Sequence, residues 1–194
     1  EMSVECVKKT IDMLINARWV VPIIPENTVL DHCSIAIDKG VIVDILPTTE
    51  ATQKYCTSNT IDRSTHVVMP GLINMHTHAA MSLFKAFSDD KALIDWLQKD
   101  IFPAEAAFVG PEFCVDGTKL ACAEMIRSGT TCYNDMYFAV EEAAHTAATI
   151  GIRSQQGFGV FGFPTSWAGS PEECLKKDQL LLDKYKNTND LVTY

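Results

Sequence analysis

Residues 70–78 read PGLINMHTH, a Pro-Gly turn followed by a short apolar strand that ends in a His-x-His pair. Side chains two residues apart on a strand point to the same side, so His76 and His78 project together. Active sites of parallel barrels lie at the carboxyl ends of the strands, where this pair stands. Two imidazoles on one face suit Zn²⁺ or a similar divalent ion. A catalytic metal usually takes at least three protein ligands, and no other histidine of the sequence is a good third.

The residues before this stretch predict a small antiparallel β region, residues 1–66. Short apolar strands are expected at 11–15, 19–24, 34–37 and 41–46. Asp38-Lys39-Gly40 suits a hairpin turn between the last two, because glycine accepts a positive φ. These features indicate part of a small β-sandwich domain.

The residues after it alternate between strands and helices. Strands are expected at 72–76, 130–135 and 152–160, with another starting at 191–194, and helices at 92–98, 111–127, 140–150 and 171–187. Such alternation predicts parallel βαβ units and the α/β class. A closed eightfold barrel needs about 250 residues. Residues 67–194 therefore predict the first half of a (β/α)₈ TIM-type barrel in a truncated chain. An open doubly wound sheet is the alternative, but it would leave the His-x-His pair without further ligands.

The composition and net charge of the chain indicate which class of partner it binds. The chain has 194 residues, of which 47% are hydrophobic, and a net charge of −9. An acidic balance argues against binding to nucleic acid or anionic membranes, and no apolar run reaches the ~18 residues of a membrane span. The seven cysteines contain no C-x-x-C pair. We expect no signal peptide, since residues 1–9 have no apolar core. We expect a cytoplasmic protein with reduced thiols and a small-molecule partner.

Several blocks around the histidine pair resemble one enzyme family. They are HTHAAMSLF from His76, Ser88-Asp89-Asp90, Asp95-Trp96-Leu97 and IFPAE ending at Glu105. Together they resemble the 5′-methylthioadenosine/S-adenosylhomocysteine deaminases of the amidohydrolase superfamily, to which triazine chlorohydrolases are related. The similarity covers residues 11–194 and is strongest over 68–137.

This resemblance implies a (β/α)₈ barrel beside a small β-sandwich built from both chain ends. It implies one divalent metal, usually zinc, held by His76, His78 and by later His and Asp residues. A His-x-x-Glu segment would supply the general acid and base. These later residues lie beyond Tyr194, so no catalytic residue is expected within this chain, and the fragment alone is expected to be inactive.

The resemblance also assigns two substrate-binding residues. Glu105 matches a glutamate that binds the ribose hydroxyls, and a carboxylate can accept two hydrogen bonds from a diol. Trp96 matches a tryptophan that lines the nucleoside pocket. The alternatives are a surface glutamate near a helix end and a core tryptophan that packs a loop.

The implied reaction is the hydrolytic deamination of an adenine nucleoside (5′-methylthioadenosine, S-adenosylhomocysteine or adenosine) to the inosine-type product and ammonia. One alternative is a sibling amidohydrolase that acts on a chloro- or amino-triazine or another purine. A second is a non-catalytic fragment that serves as a structural module. The expected partner is a small purine nucleoside, and enzymes of this kind often form homo-oligomers.

Two further positions bear on the site. Some members of the family carry a basic residue where Phe158 stands, and its absence favours an uncharged methylthio substrate over one with a homocysteine carboxylate. Asp135 ends the second predicted barrel strand. It could orient a metal ligand, but a cap of the turn that follows it is the favoured interpretation.

Overall fold

The computed structural model describes residues 8–165, 167–186 and 188–194. It divides into two compact units, one ending at Pro70 and the other running from Gly71 to Tyr194. No helix of the described residues is long and apolar enough to cross a membrane.

The first unit is mainly β-structure. Its elements are β1 (Lys9–Thr10), β2 (Met13–Val20), β3 (Leu30–Asp38), β4 (Val41–Pro47), α1 (Thr48–Lys54), β5 (Tyr55–Cys56) and β6 (Thr60–Val68). A four-stranded sheet has the order β4-β3-β2-β6, and β1 pairs with β5. The predicted hairpin joins β3 to β4, where Lys39 and Gly40 have φ angles of 52° and 74°.

This unit differs from the prediction in three ways. A single strand, β2, replaces the two strands expected between residues 11 and 24. The register of its pairing with β6 shifts between Ala17 and Trp19. The β2–β6 pair is parallel, whereas hairpin signals predicted antiparallel pairs throughout. Helix α1 was not predicted because seven residues are too few to show a helical period, and it buries Ala51 in the core.

The second unit has the mixed α/β structure that the sequence predicts. It contains β7 (Leu72–Thr77), a 3₁₀ helix (Ala79–Phe84), α2 (Leu93–Trp96), a π-helical turn (Leu97–Ile101), α3 (Phe102–Phe108), α4 (Pro111–Arg127), β8 (Thr130–Met136), α5 (Val140–Ile150), β9 (Arg153–Gly157), α6 (Pro171–Tyr185) and β10 (Val192–Thr193). The strands form one parallel sheet in the order β10-β9-β8-β7. Consecutive parallel strands with helices between them are βαβ units.

The core of this unit lies between the sheet and the helices α4 and α5. It consists of Ala79, Ala121, Cys122, Met125, Tyr133, Ala144, Ala147, Ile152 and Val192. Helix α4 also packs closely on the 3₁₀ helix after β7, because a Cβ atom on Gly117 would lie 2.3 Å from the Ala80 carbonyl oxygen. The segment that follows the histidine pair is therefore fixed by direct backbone packing.

Predicted and observed helices agree best where end signals are strong. Helices 111–127 and 140–150 are confirmed, and each is followed by a glycine with positive φ, Gly129 at 88° and Gly151 at 89°. The helix expected at 92–98 instead continues through a π-helical turn into α3 as far as Phe108. The strand expected at 152–160 ends at Gly157. Helix α6 ends at Tyr185, and the predicted end at Asn187 lies outside the described residues.

Candidate active site

The two histidines stand at the carboxyl end of β7. Their ring centroids are 5.2 Å apart, and the ring planes are nearly perpendicular, at 85°. His76 is exposed and His78 is half-buried. This separation leaves room for one ion to bind both imidazoles.

A hydrogen bond to the neighbouring strand orients His78. Its Nδ1 atom lies 2.6 Å from the carbonyl oxygen of Met136, at the end of β8. A carbonyl oxygen can only accept, so Nδ1 carries the proton, and in the neutral imidazole Nε2 then keeps its lone pair. Metal-binding histidines usually donate their second ring nitrogen in this way, which fixes the tautomer and the ring orientation. The chemistry of His78 therefore fits a metal ligand.

The buried carboxylate of Asp135 holds the chain on both sides of His78. Asp135 is 2% exposed. Its Oδ1 atom accepts the Ala79 backbone N–H at 2.8 Å and lies 3.1 Å from Thr77 Oγ1. Burial raises the pKa of Asp135, while the bonds from Ala79 and Thr77 oppose that rise. Asp135 thus contacts the chain beside His78, as in the interpretation that the sequence analysis did not favour, because β7 and β8 pair in a register that sets Thr77 beside Asp135.

Asn134 adds a second link between the two strand ends. Its side-chain amide donates to the Met75 carbonyl oxygen at 3.2 Å, and its own carbonyl oxygen lies 2.8 Å from Thr77 Oγ1. The last three residues of β8 therefore all contact the end of β7. We call residues 75–79 and 134–136 together the strand-end cluster. Its polar pair Asn134-Asp135 was visible in the sequence, but its partners were not.

Three of the predicted site residues line one cavity of about 370 Å³, namely His78, Trp96 and Glu105. His76 is not among the lining residues. Helix α3 carries Glu105, and the cavity surface is otherwise mainly apolar and aromatic. A cavity of this size with a few convergent polar groups is typical of a small-molecule site.

Tyr137 positions Glu105 and was not predicted. Its hydroxyl donates to Glu105 Oε1 at 2.8 Å, which leaves the second carboxylate oxygen for a ligand. Burial raises the pKa of Glu105, and the hydrogen bond from Tyr137 opposes the rise. Burial also raises the pKa of Tyr137, and the neighbouring carboxylate adds to that effect, so the phenol remains a donor.

Trp96 both packs a loop and lines the cavity. Its indole N–H donates to the Ser88 carbonyl oxygen at 2.9 Å, so it packs the loop before α2. The same side chain lines the cavity. Packing and pocket lining are therefore compatible at this position.

Four phenylalanines form one side of the cavity, which we call the aromatic wall: Phe102, Phe138, Phe161 and Phe163. Phe161 stacks on Phe138, with centroids 5.9 Å apart and planes at 22°. Phe163 contacts Phe161 at 5.6 Å and Phe102 at 6.0 Å. Phe158 instead stacks on Tyr194 at 6.1 Å. Within the loop after β9, Phe161 and Phe163 therefore line this cavity, whereas Phe158 does not.

The histidine pair is too small a set to hold a catalytic metal by itself. Within residues 8–165, 167–186 and 188–194 no group of three or more His, Cys, Asp or Glu side chains is arranged to hold a metal ion. His76 and His78 fit two ligands of a zinc site, and the free Nε2 of His78 has the chemistry required. Further ligands have to come from elsewhere.

Comparison with known proteins establishes the family. The model of the amidohydrolase family matches residues 67–193, which include the histidine pair and the whole parallel sheet. The chain therefore belongs to the amidohydrolase family.

More specific likenesses fall within the branch that the sequence indicates. The chain is 43% identical over 182 residues to a 5-methylthioadenosine/S-adenosylhomocysteine deaminase of Saccharophagus degradans, covering 94% of this chain and 41% of that protein. It is 41% identical to the crystal structure of a zinc-bound adenosine deaminase from Xanthomonas campestris, with a TM-score of 0.92 over 96% of this chain and 42% of that one. The resemblance inferred from the sequence is confirmed.

An atrazine chlorohydrolase from Arthrobacter aurescens shares the fold, with a TM-score of 0.80 at 20% identity over 93% of this chain and 45% of that one. The chain thus spans about two fifths of the length of the curated relatives that it matches.

Proposed function

We propose that this chain forms the first half of a (β/α)₈ barrel which, in a protein of the relatives' full length, hydrolytically deaminates an adenine nucleoside. The observation that carries the proposal is the shared cavity, in which a metal-type histidine (His78) and a positioned carboxylate (Glu105) face the same space. Relatives named for methylthioadenosine, S-adenosylhomocysteine and adenosine support this substrate class.

Each residue of this chain has a defined task in the proposal. His76 and His78 hold zinc together with ligands from outside the described residues. A zinc ion held there would supply Lewis-acid activation of water for the hydrolysis. Glu105 accepts hydrogen bonds from the ribose diol through the oxygen that Tyr137 leaves free. Trp96 and the aromatic wall contact the flat, apolar faces of the nucleoside.

The general acid and base also lie outside these residues in this proposal, so the present chain alone is inactive. That expectation is open to a direct assay of the chain after zinc loading.

Glu105 separates this proposal from a triazine hydrolase. A triazine has no vicinal diol, so it cannot donate the pair of hydroxyl hydrogen bonds that a half-buried carboxylate accepts from a ribose. The shared fold of the Arthrobacter enzyme, at 20% identity, carries no substrate information. The structure of the cavity therefore favours a ribose-containing substrate.

The test is the ultraviolet absorbance of methylthioadenosine incubated with the zinc-loaded protein of full family length. We expect loss of the adenine band and release of ammonia. Glu105→Ala should raise KM by about 10-fold or more, because a hydrogen bond to a charged group contributes about 1.5–3 kcal/mol. Glu112→Ala, which removes an exposed carboxylate at the start of α4, is the matched control and should leave KM unchanged.

The outcomes discriminate the candidates. No absorbance change in a protein that binds zinc would contradict nucleoside deamination and favour a triazine-type hydrolase. Activity with an unchanged KM in the Glu105→Ala variant would contradict the role of Glu105 while retaining the reaction.

A further inference from the structure

The side chain of Tyr137 reaches from the candidate metal ligand to the carboxylate of Glu105. Its ring lies beside the ring of His78, with centroids 6.2 Å apart, and its hydroxyl oxygen lies 2.8 Å from Glu105 Oε1. All three side chains line the same cavity. The hydroxyl of Tyr137 is therefore at the end of the cavity where the proposed function puts the ribose.

The direction of the hydrogen bond between Tyr137 and Glu105 determines what each group can still bind. A phenol has one proton and can also accept through its oxygen, whereas an ionised carboxylate can only accept. Tyr137 therefore donates its proton to Oε1 of Glu105, and its own oxygen is left as an acceptor. The other carboxylate oxygen, Oε2, takes no part in this bond. The pair thus presents two neighbouring acceptors to the cavity, Tyr137 Oη and Glu105 Oε2.

Two neighbouring acceptors suit a ligand that carries two neighbouring donors. A vicinal diol has this pattern, because each hydroxyl can donate one proton. We infer that Tyr137 is a second ribose-binding residue, whose oxygen accepts a hydrogen bond from one hydroxyl of the diol while Glu105 Oε2 accepts one from the other hydroxyl. The bond that Tyr137 donates to the carboxylate polarises the phenol, which strengthens the bond that its oxygen accepts. This inference rests on the proposed function and divides the contact with the diol between two residues.

Direct binding of a hydroxyl by Tyr137 has a different consequence from the positioning of Glu105 alone. A residue that only positions Glu105 affects every hydroxyl that the carboxylate binds, and it has no effect once the carboxylate is removed. A residue that accepts one hydroxyl loses its effect with a nucleoside that lacks this hydroxyl, and it keeps its effect without the carboxylate. These differences separate the two roles experimentally.

The experiment measures kcat/KM of the zinc-loaded protein of full family length with adenosine, 2′-deoxyadenosine and 3′-deoxyadenosine. With adenosine, Tyr137→Phe should lower kcat/KM by about 3–10-fold, mainly through KM, as expected for the loss of one hydrogen bond. With one of the two deoxynucleosides the substitution should have no effect, and with the other the full loss should persist. Tyr185→Phe removes the hydroxyl of a similar pair with Glu141 that does not line this cavity, so this matched control should change none of the three values.

A second measurement combines the substitutions at the two acceptors. In the Glu105→Ala variant, Tyr137→Phe should still lower kcat/KM for adenosine by about 3–10-fold, because the phenol oxygen binds its hydroxyl directly. The ratio between the single and the double variant is insensitive to any loss that Glu105→Ala causes by itself.

Each outcome decides the inference. If the native protein deaminates adenosine, equal losses with all three nucleosides in Tyr137→Phe would overturn the inference and leave the proposed function standing. The absence of any loss in the Glu105→Ala variant would reduce Tyr137 to a positioning residue and overturn the inference as well. If the native protein deaminates none of the three nucleosides, the proposed function fails and ribose binding by Tyr137 fails with it.

Discussion

The strand-end cluster and the aromatic wall line the same cavity but are held in different ways. In the strand-end cluster, backbone and side-chain hydrogen bonds converge on β7, and the buried carboxylate of Asp135 directly contacts the chain next to His78. In the aromatic wall, contacts between rings determine the shape of the surface. The carboxylate of Asp178 does not touch the cavity and accepts a hydrogen bond from Trp167. Directional bonds fix angles, whereas ring packing fixes shape and polarity.

This difference indicates which measurable property of the protein each region should control, metal affinity or the binding of a substrate. A metal ligand tolerates little angular error, so the strand-end cluster should control metal affinity. A pocket wall selects by size and charge, so the aromatic wall should control KM and the choice among substrates. Substitutions in the two regions should therefore change different measured quantities.

The largest effect is expected from His78→Ala. It removes a proposed metal ligand, and we expect zinc affinity to fall by more than the roughly 10–100-fold that the loss of an outer hydrogen-bond partner costs. Zinc competition with a chromophoric chelator measures it in the protein of full family length. His145→Ala, an exposed histidine on α5, is the control and should bind zinc normally. Unchanged zinc affinity in His78→Ala would contradict the metal assignment.

The second-largest effect on zinc affinity is expected from Asp135→Ala. The Ala79 N–H would lose its buried acceptor, and the chain beside His78 would relax, so zinc affinity should fall by about 10–100-fold. Asp135→Asn keeps an acceptor oxygen and should lose less. The measurements are zinc competition and the visible spectrum of the cobalt-substituted protein, which reports ligand geometry without relying on turnover. Native affinity and a native spectrum in Asp135→Ala would remove Asp135 from the positioning of His78.

The sequence identified the candidate metal ligands but not the residues that position them. His76 and His78 were identifiable because strand periodicity places them on one side, a local property. The partner of Asp135 depends on the register in which β7 pairs with β8, across 56 residues of chain from Ala79. No local pattern contains that register.

The same limit applies to the cavity. Glu105 and Trp96, which line it, were predicted through family motifs, which carry three-dimensional information indirectly. Phe161 and Phe163 lie in a loop whose place depends on the contact between Trp167 and Asp178, so they were not predicted. In the first unit, the parallel pairing of β6 with β2 also depends on contacts between distant parts of the chain, which local hairpin signals do not contain.

Two glycines test whether the two regions differ in how tightly they are packed, with the free energy of unfolding as the measured quantity. Gly117→Ala would drive a Cβ atom against the Ala80 backbone, and we expect the free energy of unfolding to fall by about 1–3 kcal/mol. Gly162 lies between the two loop phenylalanines, and a Cβ atom added there would have no heavy atom within 4 Å. Gly162→Ala should therefore change stability by less than about 0.5 kcal/mol. Denaturant unfolding measures both variants. Equal losses in the two would contradict the difference in packing between the regions.

The smallest effect on ligand binding is expected from Asp178, which acts on the cavity through a second residue. Asp178→Ala leaves the Trp167 N–H without its acceptor, and loosening of the loop should raise KM for methylthioadenosine by about 3–10-fold, a loss of roughly 1 kcal/mol that is typical of one hydrogen bond. Asp178→Asn retains an acceptor oxygen and should restore most of the binding. Zinc affinity should stay native in both variants, because Asp178 belongs to the aromatic wall. A fall in zinc affinity as large as that of Asp135→Ala would mean that the two regions are coupled, and metal binding could then no longer be assigned to the strand-end cluster alone.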